Sequence, residues 1–141
     1  MKITENIEAL YLSIYLKDSN TLILSDLHLG YEKHLMEQGF LVPPFQFKEI
    51  KERIENIFKG LRASGAEGLK YIVINGDLKH EFGRISRQEW KEILSLIDLL
   101  SPHCQKIVIV KGNHDVILDR ITRKTKVRFE KIGFSHSKGV F

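Results

Sequence analysis

Leu69-Lys70-Tyr71-Ile72-Val73-Ile74-Asn75-Gly76-Asp77 decides the architecture. From Leu69 to Ile74 the run is β-branched and aromatic without alternating polar residues, which predicts a strand covered on both faces. It then breaks into a glycine and a carboxylate. Upstream, Phe47, Ile50, Ile54, Ile57, Phe58 and Leu61 fall at offsets 0, 3, 7, 10, 11 and 14, one face of a helix over Gln46 to Ser64 that Gly65 and Gly68 end. Downstream, Ser86 caps a second helix reaching Leu100, with Glu89 as its capping-box partner and Ile85 with Trp90 as a hydrophobic staple. Ile107 to Val110 is a third short buried strand. Trp90 and the Phe/Ile stripe of the first helix are assigned to the core.

The flanks complete the order. Ala9 to Leu16, the turn residues Asp18-Ser19-Asn20 and the run Thr21 to Leu24 predict a hairpin that opens the domain. Gly30 to Pro44 is a long loop with a helical turn around residues 31–38, and Thr125 to Lys131 is an exposed strand. Strand pair, helix, strand, helix, strand is the order of an α/β sheet with parallel central strands and crossover helices. Ligands of such sheets bind beyond the carboxyl ends of the strands.

Composition sets the outer bounds. With 141 residues, 43% hydrophobic and 28% charged, the chain has the profile of one globular domain. No apolar run reaches membrane-spanning length and the first residues lack a secretory layout, so a soluble, cytoplasmic protein with no membrane partner is expected. The single cysteine, Cys104, excludes an internal disulfide framework and a four-cysteine zinc site and fits a reducing compartment. The formal charge of +4 is unevenly spread, because Arg120 to Lys138 holds seven basic residues against Glu130. That segment reads either as a grip on a phosphate-rich partner such as nucleic acid or as a solvated strand and turn.

Each parallel strand runs into polar chemistry. The first leads to Ser25-Asp26-Leu27-His28-Leu29-Gly30, the second to Asn75-Gly76-Asp77, and the third to Lys111-Gly112-Asn113-His114-Asp115. Parallel neighbours bring these groups to one edge. Asp26 and His28, two residues apart, are suited to bite one cation, and oxygen and nitrogen donors without thiolate suit Mn, Fe, Zn, Ni or Mg. Taken singly, Asp26 reads as a turn former or helix cap, and Asp115 equally as a cap for a short helix over 116–121. His34, His80, His103 and His136 match none of the three motifs and default to surface or loop positions; His80 is the nearest to the site, three residues after Asp77.

The ordered triple resembles the calcineurin-like metallophosphoesterase superfamily, whose D-x-H, G-D and G-N-H-[DE] motifs follow three successive strands. The contexts Ser25 to Gly30 and Asn75 to Phe82 look nearest to prokaryotic phosphoesterases, some of them ligase-associated. The resemblance implies that Asp26 and His28 ligate a first metal, that Asp77 bridges two, and that Asn113 ligates the second through its side-chain oxygen. It also implies that His114 lies beside the scissile phosphate to stabilise or protonate the leaving group, with Asp115 orienting it. The implied activity is metal-dependent hydrolysis of a phosphoester, with a phosphodiester expected, by a metal-bound water; manganese is a natural cofactor for such a site.

The resemblance covers about residues 9–119. Further family motifs, G-H and then G-H-x-H, do not occur by residue 141, so the expectation is a single domain over residues 1–141 cut short at its C-terminus, its second sheet largely missing. Two helices cover one face of an apolar sheet, so a homo-oligomer or partner subunit is expected over the other. The competing expectation is a catalytically incomplete remnant, a binding module or half of a split enzyme.

Overall fold

A computed structural model of the chain describes residues 1–25, 27, 35–41, 46–75, 87–111 and 132–136. They form one mixed sheet with the strands in chain order: β1 (Ile7–Leu10), β2 (Ser13–Leu16), β3 (Thr21–Ser25), β4 (Leu69–Asn75), β5 (Cys104–Lys111) and β6 (Ile132–His136). β1, β2 and β3 pair antiparallel, and β3, β4, β5 and β6 pair parallel. Helix α1 (Gln46–Ala63) connects β3 to β4, and α2 (Arg87–Leu100) connects β4 to β5 through a 3₁₀ turn at Ser101–His103. The expected α/β sheet with parallel central strands and crossover helices is formed.

Both crossovers step in the same direction along the sheet. Right-handed connections therefore put both helices on one face. That face carries two rows in register, Leu22–Ile72–Ile107 and Leu24–Ile74–Ile109, all at most 2% exposed. Ile50, Ile54, Ile57, Phe58 and Leu61 of α1 and Ile93, Leu96, Ile97 and Leu100 of α2 close over them as one core. Phe47 and Trp90 pack at its margin, half-buried.

Two expectations change and one strand is new. Ala9 to Leu16 is not one strand: it turns back at Tyr11-Leu12, so the domain opens on a three-stranded meander rather than a hairpin. Tyr11 takes a left-handed backbone, φ +54°, to make that turn, and the Ser13 hydroxyl donates to the Leu10 carbonyl at 2.6 Å across it. β4 is not equally covered on both faces: Ile72 and Ile74 are fully buried, whereas Tyr71 and Val73 are half-buried, as are Ile23 and Val108 beside Val73. A strand forms at Ile132–His136; the one expected at Thr125–Lys131 lies outside the described residues.

The glycines after α1 act as expected. Gly65 adopts φ +81°, its N–H donates to the Arg62 carbonyl at 3.0 Å, and the Ala66 N–H donates to Leu61 at 2.9 Å. This paired bonding closes the last turn in a Schellman motif, with Ala66 packed against the core. Residues 35–37 form a helical turn inside the long loop, as expected, ended the same way by Gly39 at φ +90°.

Candidate metal centre at the ends of the parallel strands

The sheet register fixes the edge from which the motifs depart. Ser25, the last residue of β3, pairs with Asn75, the last of β4, and Asn75 pairs with Val110, one residue before the end of β5. Three strands thus finish level, within one residue. Asp26 is bonded to Ser25, Asp77 is two residues beyond Asn75, and Asn113 is two beyond Lys111. Chain connectivity alone tethers all three motifs to this edge, since each residue reaches only about 3.3–3.6 Å. Asp26, His28, Asp77, Asn113, His114 and Asp115 themselves lie outside the described residues, as do His34 and His80. Among the described residues no group of three His, Cys, Asp or Glu side chains could hold a metal ion.

The described surroundings of the edge are mostly apolar. Leu27, between Asp26 and His28 in the chain, packs against the core. With Leu24, Ser25, Ile50, Ile54 and Arg53 it lines a crevice between the end of β3 and the first half of α1. Arg53 and Glu49 face each other at 3.8 Å across one helical turn, both more than half exposed, so this pair is worth little to stability. The β1–β2 turn reaches the same edge, because Leu10 pairs with Ser13 and Ser13 with Leu24. Its Tyr11 and Leu12 are largely exposed.

Two features escaped the sequence reading. Glu89, assigned to a capping box, is only 3% exposed, on the buried side of α2 with Ile93, Leu96, Ile97 and Leu100. His136 is not in a loop: it ends β6 and pairs with Lys111, at the finishing edge of the sheet. The signal for His136 was its place after Ile132-Gly133-Phe134, a short strand hidden within a basic segment. His103 lies in the 3₁₀ turn before β5, half-buried. It stacks on Phe58 with ring centroids 3.9 Å apart, and burial, reinforced by the Arg62 charge, lowers its pKa below the ordinary histidine value. It sits where β5 starts, at the far end of the sheet from the motifs.

The three motifs hold three aspartates, two histidines and an asparagine, nitrogen and oxygen groups of the kind that divalent first-row metals or Mg²⁺ accept. No helix among the described residues is long and apolar enough to cross a membrane. No curated protein and no solved structure gave a match. The family model for calcineurin-like phosphoesterases matches residues 19–140, from the turn before β3 to beyond the end of β6. With its motifs tethered in family order to level strand ends, the chain belongs to the calcineurin-like phosphoesterases, metal-dependent hydrolases of phosphoesters that are generally dinuclear.

Proposed function

We propose that this chain hydrolyses phosphodiesters at a dinuclear centre on the finishing edge of β3, β4 and β5. The observation that carries the reading is the level ending of those strands immediately before Asp26-Leu27-His28, Gly76-Asp77 and Gly112-Asn113-His114-Asp115. Asp26, His28 and Asp77 would hold one metal, and Asp77 and Asn113 would hold the second. The metals, when bound, activate water and neutralise phosphate charge. His114 gives a proton to the departing alkoxide as the P–O bond breaks, and Asp115 holds its imidazole in the donating orientation. The seven basic residues from Arg120 to Lys138 follow the third motif in the chain and favour a polyanionic diester such as nucleic acid.

The test is hydrolysis of bis-p-nitrophenyl phosphate, with p-nitrophenyl phosphate as the monoester comparison, in the presence of Mn²⁺. The diester is turned over faster, and EDTA abolishes the activity. His114→Ala loses about 100-fold or more on alkyl diesters and less on nitrophenyl esters, whose leaving groups need no proton. Absence of Mn²⁺-dependent turnover, or a His114→Ala variant with unchanged rates on both classes, refutes the reading. Retained Mn²⁺ binding without turnover points instead to a binding module.

A further inference from the structure

Crevices open at both ends of the sheet. One is lined by Gly68, Leu69, Pro102 and His103, where the parallel strands begin, a strand's length from the motifs. The other, of about 160 Å³, lies where they finish. Ser25 and Leu27, the two chain neighbours of Asp26, both line it, so it borders the first motif. A group attached to a phosphate held at that motif therefore has this space within reach.

The lining says what kind of group fits. Leu24, Ile50 and Ile54 belong to the buried core, Leu27 packs against that core, and Leu12 reaches the crevice from the β1–β2 turn. The charged members, Glu49 and Arg53, face each other at 3.8 Å and cancel. The space therefore suits an uncharged, apolar group rather than a second phosphate. Its size is that of an aliphatic cavity that accepts one benzene ring. Leu12 is the unusual member. Two-residue turns between antiparallel strands favour glycine, asparagine or aspartate, yet this turn carries two large apolar side chains, with Tyr11 at φ +54°. Leu12 is 69% exposed while it lines the crevice, an arrangement unfavourable for the chain alone that a bound apolar group would offset.

We propose that this crevice is a subsite for one organic group of the phosphoester, an uncharged single aromatic ring, and that Leu12 is the residue that selects for it. The inference rests on the diester reading given above, which puts the phosphorus at the finishing edge. Burial of the ring against Leu12, Leu27 and Ile50 strengthens binding of the whole substrate and leaves the proton transfers untouched, so it acts on KM rather than on kcat.

The experiment compares phenylphosphonate with methylphosphonate, which share the phosphorus group and differ in the ring, by calorimetry on the Mn²⁺-loaded chain. Phenylphosphonate should bind about 10-fold more tightly. Leu12→Ser, a change at an exposed turn residue, should remove most of that preference and leave the affinity for methylphosphonate unchanged, whereas Leu12→Met should keep it. Equal affinity of the wild type for the two phosphonates, or a Leu12→Ser variant that retains the full preference, overturns the proposal and leaves the metal reading intact. A second measurement needs no metal. Phenol at millimolar concentration should shift the methyl resonances of Leu12, Leu27, Ile50 and Ile54 in the metal-free chain, and unmoved resonances overturn the subsite. A chain that takes up no Mn²⁺ overturns the dinuclear reading and with it the phosphoester subsite, whatever phenol does.

Discussion

The parallel strands start in one kind of surroundings and finish in another. Where they start, the chain is laced to itself. Asn20, in the left-handed region at φ +47°, donates from its amide to the Gly68 carbonyl at 3.1 Å and accepts at its side-chain oxygen from the Tyr15 hydroxyl at 3.0 Å. Its own carbonyl accepts from the Lys70 N–H at 2.9 Å, so the β2–β3 turn is sewn to the first residues of β4. The Schellman motif at Gly65 and the Phe58–His103 stack lie at the same end. Where the strands finish, the sequence turns to carboxylates, imidazoles and a carboxamide, and Glu89 is buried in the first turn of the helix that follows β4. Among the described residues these bonds gather at the starting edge, while the finishing edge leads into side chains of the kind used for chemistry rather than for stability.

If this division holds, variants at the two ends should separate activity from stability. The largest effect is expected from Asp77→Ala, which should reduce Mn²⁺-dependent diester hydrolysis more than about 100-fold, since in the proposed centre both metals would lose a ligand. Thermal denaturation of the metal-free variant should match the wild type, and a large loss of melting temperature would break the comparison. Next comes Asn20→Ala. It deletes two side-chain hydrogen bonds and puts alanine, which tolerates positive φ less well than asparagine, into that turn, for a loss of about 2–3 kcal/mol in denaturant unfolding with kcat unchanged. Asn20→Gly removes the backbone part of that cost and should recover about 1 kcal/mol of it.

The smallest effect concerns His103. Its lowered pKa means that the folded state binds fewer protons than the unfolded state, so its contribution is complete above the ordinary histidine value, about 6.5, and is lost as pH falls below it. Unfolding midpoints of the wild type should therefore drop more between pH 7.5 and 5.5 than those of His103→Gln. Equal pH dependence in the two proteins would remove the histidine from the stabilising end.

What was legible in the sequence follows from which forces act locally. α1 was readable from its apolar period alone, because all of Ile50, Ile54, Ile57, Phe58 and Leu61 face one core and nothing else competes for them. The parallel centre followed from helices alternating with apolar strands. The break at Tyr11-Leu12 was not readable, since neither residue is a turn former; it is imposed by pairing, with Leu10 set against Ser13 and Ser13 against Leu24. β6 at Ile132–His136 was not read from the sequence because its basic flank carries no alternation to mark where pairing begins. For the candidate site, the motifs and their order along the chain were visible, because a motif is read from the chain alone. The burial of Glu89 was not, because a glutamate three residues after a serine at a helix start signals a cap whether it faces water or the sheet.

The pairing of Ser25 with Asn75, and of Asn75 with Val110, also has a meaning as a dimensional tolerance. Sliding one strand past its neighbour by a single residue would displace its end by about 3.3 Å, nearly the whole 3.5–4 Å that separates two ions in a dinuclear centre. For the proposed centre, the interlocked isoleucines and leucines beneath α1 and α2 would therefore work as a gauge. A cavity or an oversized side chain in those rows would be felt first as metals held at the wrong spacing, well before the domain lost its shape.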